Sequence, residues 1–213
     1  MQAIVVGATG AVGRDLMSLL VQDNRYQKVL AFTRREVGIE DEKVKNHIVN
    51  FENPKGWHDL VQGDVLFSCL GTSLKQAGSQ EAQRHIDFDY QMMFARFAKE
   101  NGVQHFVLVS SVGANTQSRF FYLKLKGEIE KEIETLQFNG LTIVRPPTLI
   151  RKHTKRWTEG VFIKILKAIN VLGIFTSQAP IKTEKVAKCM ANVGAEKFQG
   201  VRYICGQEIL QWQ

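Results

Sequence analysis

Residues 4–13 read IVVGATGAVG, a run of β-branched apolar residues that passes straight into glycines at 7, 10 and 13. The apolar run has the composition of a buried strand, and the glycines that of a tight turn. If a helix follows, each glycine answers a different demand. Gly7 suits the turn that leaves the strand, where a positive φ is easiest without a Cβ. Gly10 lets a pyrophosphate come up against the backbone, and Gly13 lets helix and strand pack closely. The N–H groups at the start of that helix then face the anion. A glycine turn that merely joins strand to helix is the plainer reading. The succession of strand, glycines, helix and returning strand favours a dinucleotide loop.

Outward from that loop the chain alternates short β-branched runs with longer amphipathic stretches. Strands are predicted at 2–7, 28–33, 46–51, 64–69, 105–110, 140–145 and 201–205, and helices at 11–22, 56–61, 81–101, 118–137, 156–170 and 183–194. The strand runs lack polar alternation, as in a parallel sheet buried on both faces. Strand-helix alternation therefore predicts an α/β chain: a doubly wound Rossmann fold with a parallel sheet and helices on both faces. With 213 residues, 44% of them hydrophobic, a single domain over residues 1–213 can bury a sizeable core. Pro146-Pro147 ends the sixth strand, and substrate-shaping elements are expected beyond residue 147, where the pattern turns more helical.

The formal charge is +7, densest in RKHTKR at 151–156, which suits an anionic partner. No RNP-type motif, zinc spacing or basic block interleaved with aromatics accompanies it, so a phosphorylated small molecule is favoured over nucleic acid. Cys69, Cys189 and Cys205 form no CxxC pair, which argues against a disulfide framework or a metal site and for a reducing compartment. The opening MQAIVVG lacks the basic region of a secretory signal, and a cytoplasmic location is expected. The apolar stretch at 161–175 carries Lys164 and Lys167 and falls short of the roughly 20 uncharged residues of a bilayer span. Covering the substrate pocket is its expected role, ahead of docking to a membrane surface or a protein partner.

About twenty residues past the glycines, a Rossmann chain selective for NAD carries an acid for the ribose hydroxyls. Here the second strand ends in Arg34-Arg35. An acid would repel a 2′-phosphate, whereas two guanidinium groups hold it through paired hydrogen bonds, so NADP is the expected cofactor and NAD the alternative. Glu36 next door could still partner the ribose, and solvated surface charge is the plain reading of either arginine. Tyr122 and Lys126, four apart, share one face of a predicted helix. A tyrosine exchanges protons near neutral pH only if its pKa, about 10 in model peptides, is lowered, and a nearby ammonium stabilises the phenolate. By itself a tyrosine and a lysine at this spacing usually mean a core-edge ring beside a solvated charge. Upstream, Ser110 or Ser111 at the end of the fifth strand could hydrogen-bond a substrate oxygen.

Together GATGAVG, FTRR, FSCLGTS, LVSSVGA, YLKLKGEIE and IVRPPTL make the chain resemble the atypical short-chain dehydrogenase/reductases, in particular the small proteins similar to the HIV Tat-interactive protein, nearly end to end. The resemblance implies that Gly7, Thr9, Gly10, Ala11 and Val12 line the pyrophosphate and that Arg34 and Arg35 meet the adenosine phosphate. It implies that Cys69, Leu70, Gly71 and Thr72 run past the cofactor, and that Pro146, Pro147, Thr148 and Leu149 flank the nicotinamide. Tyr122 lies eleven residues after Ser111 and twelve after Ser110, slightly closer than is usual in the classical enzymes, so the choice between the serines stays open, with Ser111 favoured.

The expected function is NADP-dependent hydride transfer between cofactor and a small carbonyl or alcohol substrate, with Tyr122 exchanging the proton. Members that bind dinucleotide without turnover make a regulatory, partner-binding protein the alternative. Cys69 is read as a small buried hydrophobe rather than a nucleophile. His85, Asp87 and Asp89 resemble a metal cluster only in composition and are expected as paired charges on a helix surface. Arg151 and His153 could meet an anionic substrate or simply be solvated.

Overall fold

The strand that leads into the glycine loop, β1 (Gln2–Val6), pairs in parallel with β2 (Lys28–Thr33) on one side and with β4 (Val65–Ser68) on the other. The computed structural model describes residues 1–150 and 179–212. Beyond β2 lies β3 (Val44–Ile48), and beyond β4 lie β5 (His105–Val109), β6 (Gly140–Arg145) and, after the short β7 (Leu149–Ile150) and β8 (Ile181–Lys182), β9 (Gly200–Cys205). The seven-stranded sheet runs in the order β3-β2-β1-β4-β5-β6-β9, and β7 and β8 form a separate parallel pair. The chain winds outward from β1 to β3, returns to the other side of β1 and winds outward again. The strand order therefore reverses between β1 and β4, where the carboxyl ends of the two strands leave a crevice.

Alternate residues of each strand feed two separate cores. Ala3, Val5, Val29, Ala31 and Phe67 pack on one face with Leu16, Met17 and Leu20 of α1 (Ala11–Gln22) and with Val186 and Met190 of α6 (Thr183–Gly194). Ile4, Val6, Phe32, Leu66 and Leu108 pack on the other with Phe94 and Ala98 of α4 (Tyr90–Glu100) and Ile129 and Ile133 of α5 (Phe121–Thr135). The expected doubly wound fold with helices on both faces is thus the observed one. Burial of both faces holds for the inner strands. The edge strand β3 is largely half-exposed and β9 largely exposed, with Ile48 and Val201 in solvent, each strand having a neighbour in the sheet on one side only.

Three expectations are corrected. The third strand stops at Ile48 instead of reaching residue 51, and Val49–Phe51 turns over the sheet edge to bury Phe51 against Trp57 and Phe94. The short helix at 56–61 is a single 3₁₀ turn, His58–Leu60. The helix expected at 81–101 is present as an unbroken helical run over 80–100, but its pitch changes within it. After α2 (Leu74–Ala77) and α3 (Gln80–Arg84), a π-helical turn at His85–Asp89 precedes α4. One extra residue per turn rotates the side-chain phase by about 100°, and an expected surface position turns inward. The helices expected at 156–170 and the stretch 161–175 lie outside the described residues.

Candidate functional site

Gly7 follows β1 with φ of 79°, and a Cβ on it would stand 2.5 Å from the carbonyl carbon of Cys69, so only glycine lets the loops after β1 and β4 lie together. A Cβ on Gly13 would fall 2.1 Å from the Gly7 carbonyl oxygen, which is the close helix-strand packing expected of it. Gly10 is the N-cap of α1. It places no side chain on the first-turn N–H groups, and that turn carries no acid. Ala11 is half-buried and Val12 sends its side chain into the core, so both offer an anion their backbone N–H groups only. The residues fit a pyrophosphate: the turn is open, uncapped and free of negative charge.

At the outer end of the crevice is a cleft of about 370 Å³ whose walls are Gly7 and Thr9 from the glycine loop, Phe32 to Arg35 from the end of β2, Phe51, and Leu70. Both arginines are exposed at its rim. Their loop is fixed from below: Asn46 accepts from the Val37 N–H at 2.9 Å and donates to Thr33 Oγ1 at 2.7 Å. Of the residues singled out in the sequence, the cleft brings together Arg34, Arg35, Gly7, Thr9 and Leu70, and it adds Phe51, which sequence reasoning missed and which reaches it because β3 ends early. Glu36 is exposed and lies outside the residues that wall it.

The loop after β4, Cys69 to Thr72, forms a strap over the crevice. Burial pushes the Cys69 thiol up to about 12, which leaves it inert as a nucleophile. The Thr72 N–H donates to Asp87 Oδ1 at 2.7 Å, and the Thr72 carbonyl accepts from Gln83 Nε2 at 3.1 Å. Asp87 is the inward-turned residue of the π-helical turn, with no exposed surface, where the sequence led us to expect a surface charge. His85 and Asp89 of the same turn do pair at the surface, at 2.9 Å. Burial pushes the Asp87 carboxyl up, against the opposing pull of Lys126 and the Thr72 N–H.

Lys126 is 2% exposed, with Nζ 3.7 Å from Asp87 Oδ2. Tyr122, one turn earlier on α5, is 41% exposed, and the Lys126 ammonium lies 5.8 Å from its ring centre. Helical spacing thus joins these two as expected, and the lysine's buried carboxylate neighbour is an addition. Ser110 is buried with Oγ lacking a hydrogen-bond partner, whereas Ser111 is half-buried and its Oγ donates to the Val112 carbonyl at 3.2 Å. The serine loop is held on α5 by Gly127, where a Cβ would stand 2.5 Å from the carbonyl carbon of Asn115. It is also tied to the segment after β6 by the Val112 N–H, which donates to the Pro146 carbonyl at 3.0 Å. Pro146 is buried, and Pro147, Thr148 and Leu149 are half-buried beside it. Arg151 and His153 lie outside the described residues. Among the described residues no cluster of His, Cys, Asp or Glu could hold a metal, and no helix is long and apolar enough to cross a membrane.

Comparison with known proteins agrees with this geometry. Protein FMP52, mitochondrial, of Debaryomyces hansenii is 35% identical over 206 residues, covering 92% of this chain and 88% of that one. The protein of the same name from Saccharomyces cerevisiae is 37% identical over 164 residues, 75% of this chain and 71% of that one. Protein HTATIP2 of Rattus norvegicus is 38% identical over 150 residues, 68% of this chain and 62% of that one. Among solved structures, MoeE5 in complex with UDP-glucose and NAD superposes with a TM-score of 0.73 at 13% identity, covering 99% of this chain and 80% of that one. A UDP-glucose 4-epimerase from Thermotoga maritima gives 0.71 at 13% identity, covering 96% and 77%. At that identity the likeness speaks for the fold alone. Residues 7–197 match the NAD(P)H-binding family, and the chain belongs to it, among the atypical short-chain dehydrogenase/reductases.

Proposed function

We propose that the chain is a single NAD(P)-binding Rossmann domain over residues 1–213, with substrate-shaping elements mainly after residue 147, and that it is an NADP-dependent oxidoreductase acting on a small carbonyl or alcohol. The observation that carries the reading is the placement of Lys126: a buried ammonium beside the strap that borders the crevice, one helical turn from a half-exposed tyrosine. Arg34 and Arg35 at the rim of the outer cleft favour NADP over NAD.

When bound, the dinucleotide supplies or takes up the hydride at the carbonyl carbon. In reduction Tyr122 donates its phenolic proton to the substrate oxygen, which leaves as an alcohol, and the phenolate is reprotonated from solvent. The Lys126 ammonium stabilises that phenolate and reaches the cofactor ribose. Ser111, the more accessible of the two serines, orients the carbonyl. The free thiols fit a reducing compartment, the cytoplasm on the chain's own sequence, although the names of the fungal relatives place those proteins at mitochondria. The test is steady oxidation of NADPH against a panel of small aldehydes and ketones. Turnover supports the reading, and tight dinucleotide binding with no turnover on any carbonyl would favour a cofactor-sensing, partner-binding protein.

A further inference from the structure

Asp87 and Glu130 are the two buried carboxylates among the described residues, and they are satisfied in different ways. Glu130 is closed off by Arg145, which donates to both its oxygens at 2.9 and 2.5 Å. Asp87 divides its oxygens. Oδ1 takes the Thr72 N–H of the strap, and Oδ2 has no hydrogen-bond partner but stands 3.7 Å from Lys126 Nζ. That separation is too long for a hydrogen bond and short enough for strong attraction in a dry site. The carboxylate therefore supports the ammonium without consuming its donors, which stay available to another acceptor. Gly71 of the strap lies against both groups: a Cβ on it would touch Asp87 Oδ2 and Lys126 Nζ alike, each at 3.8 Å. The joint is braced from behind, since the Gln91 side chain donates to the Asp87 carbonyl and accepts from Ser68 Oγ at 2.7 Å.

We propose that Asp87 is a positioning residue that fastens the Cys69–Thr72 strap and the Lys126 ammonium to one point, so that dinucleotide held along the strap depends on the charge at Lys126. The proposal rests on the reading that Lys126 meets the dinucleotide. Burial disfavours an ammonium that has no carboxylate beside it. The other groups around Lys126 cannot replace Asp87. On its own helix Glu130 is taken by Arg145, Cys69 on the strap stays a neutral thiol, and Arg84 and Glu128 pair with each other at 2.5 Å.

The experiment is NADPH affinity from about pH 7 to about pH 9 in the parent, Asp87→Asn, Lys126→Met and the double variant. Asp87→Asn keeps the shape and an acceptor for Thr72 while removing the charge. Its affinity should fall by roughly tenfold or more across that interval, while the parent changes by less than about threefold. The double variant should bind no more weakly than Lys126→Met. Asp87→Asn tracking the parent at every pH, or losses that simply multiply in the double variant, would overturn the role of Asp87 and leave that of Lys126 standing. Lys126→Met binding as tightly as the parent would overturn the reading beneath it. Should Asp87→Asn not fold, hydrogen exchange at the Thr72 amide decides: it should quicken by roughly tenfold in Lys126→Met, because burial drives an Asp87 without its cation to the neutral acid, a weaker acceptor than the carboxylate. An unchanged rate sinks the coupling.

Discussion

The strap after β4 has a wet end and a dry end. Leu70 looks onto the outer cleft, where Arg34 and Arg35 stand in solvent with a side-chain loop braced from below. Thr72 looks onto Asp87 and Lys126, neither of which exposes more than 2% of its surface. Charges at the first end are screened by salt and water. Charges at the second act through a poorly polarisable interior and must be balanced on the spot. On the proposed reading, the same fold offers a recognition site whose charges are screened and a reaction site whose charges are not.

The difference is sharpest in turnover. Tyr122→Phe removes one hydroxyl beside the dry end and should cost any carbonyl reduction roughly 100-fold to 10,000-fold while leaving NADPH affinity nearly unchanged. Rapid-mixing kinetics with parallel binding titrations check it, and a Phe variant as active as the parent would move the acid elsewhere. At the wet end, Arg34→Ala with Arg35→Ala should weaken NADPH by on the order of tenfold to a thousandfold and spare NADH. The preference of the parent should shrink as salt rises. Equal losses for both cofactors would make the arginines ordinary surface charge.

His105 extends the comparison to a buried base that, among the described residues, has no acid beside it. It is 5% exposed, its Nε2 lies 3.0 Å from Thr142 Oγ1, and burial, helped by Arg202, holds its pKa down to about 4. The neutral form is the folded one, so stability present above about pH 6.5 should be lost as pH falls from there to about 4, by up to about 3 kcal/mol. Urea unfolding at several pH values, parent against His105→Gln, isolates that slope. The smallest effect belongs to a solvent-exposed pair. Arg84→Ala breaks the contact with Glu128 at 2.5 Å, yet should shift stability by less than about 1 kcal/mol. A loss as large as that of a buried pair would erase the distinction.

How much of this was legible follows from the range of the signals. Glycine spacing, β-branched runs and the Tyr122–Lys126 repeat are local properties of backbone and helix pitch, and they led to the seven strands of the main sheet, with β3 displaced, and to the helix face that Tyr122 and Lys126 share. Arg34 and Arg35 could be placed because a parallel strand delivers its last residues to the sheet's carboxyl edge. Asp87 was misplaced because helical periodicity assumes a constant pitch, and the π-helical turn breaks it without any proline or glycine to announce it. Gly127 escaped notice for another reason. Its importance lies in the backbone of Asn115 and Thr116, which no pattern around the glycine itself contains. Phe51 depended on where β3 stops at an uncovered edge.

The partnership of α1 with α6 has a consequence for synthesis. Leu16, Met17 and Leu20 find their cover in Val186, Ala187 and Met190, and Asp15 accepts from Thr183 Oγ1 at 2.6 Å, so α1 is synthesised long before the helix that covers it. Until Thr183–Gly194 emerges, α1 and the face of the sheet beneath it present a bare apolar surface. Non-local parallel pairing of this kind folds slowly and is exposed to aggregation in the meantime. A nascent chain stalled before Thr183 should therefore bind chaperones along α1, and release of Thr183–Gly194 should free it.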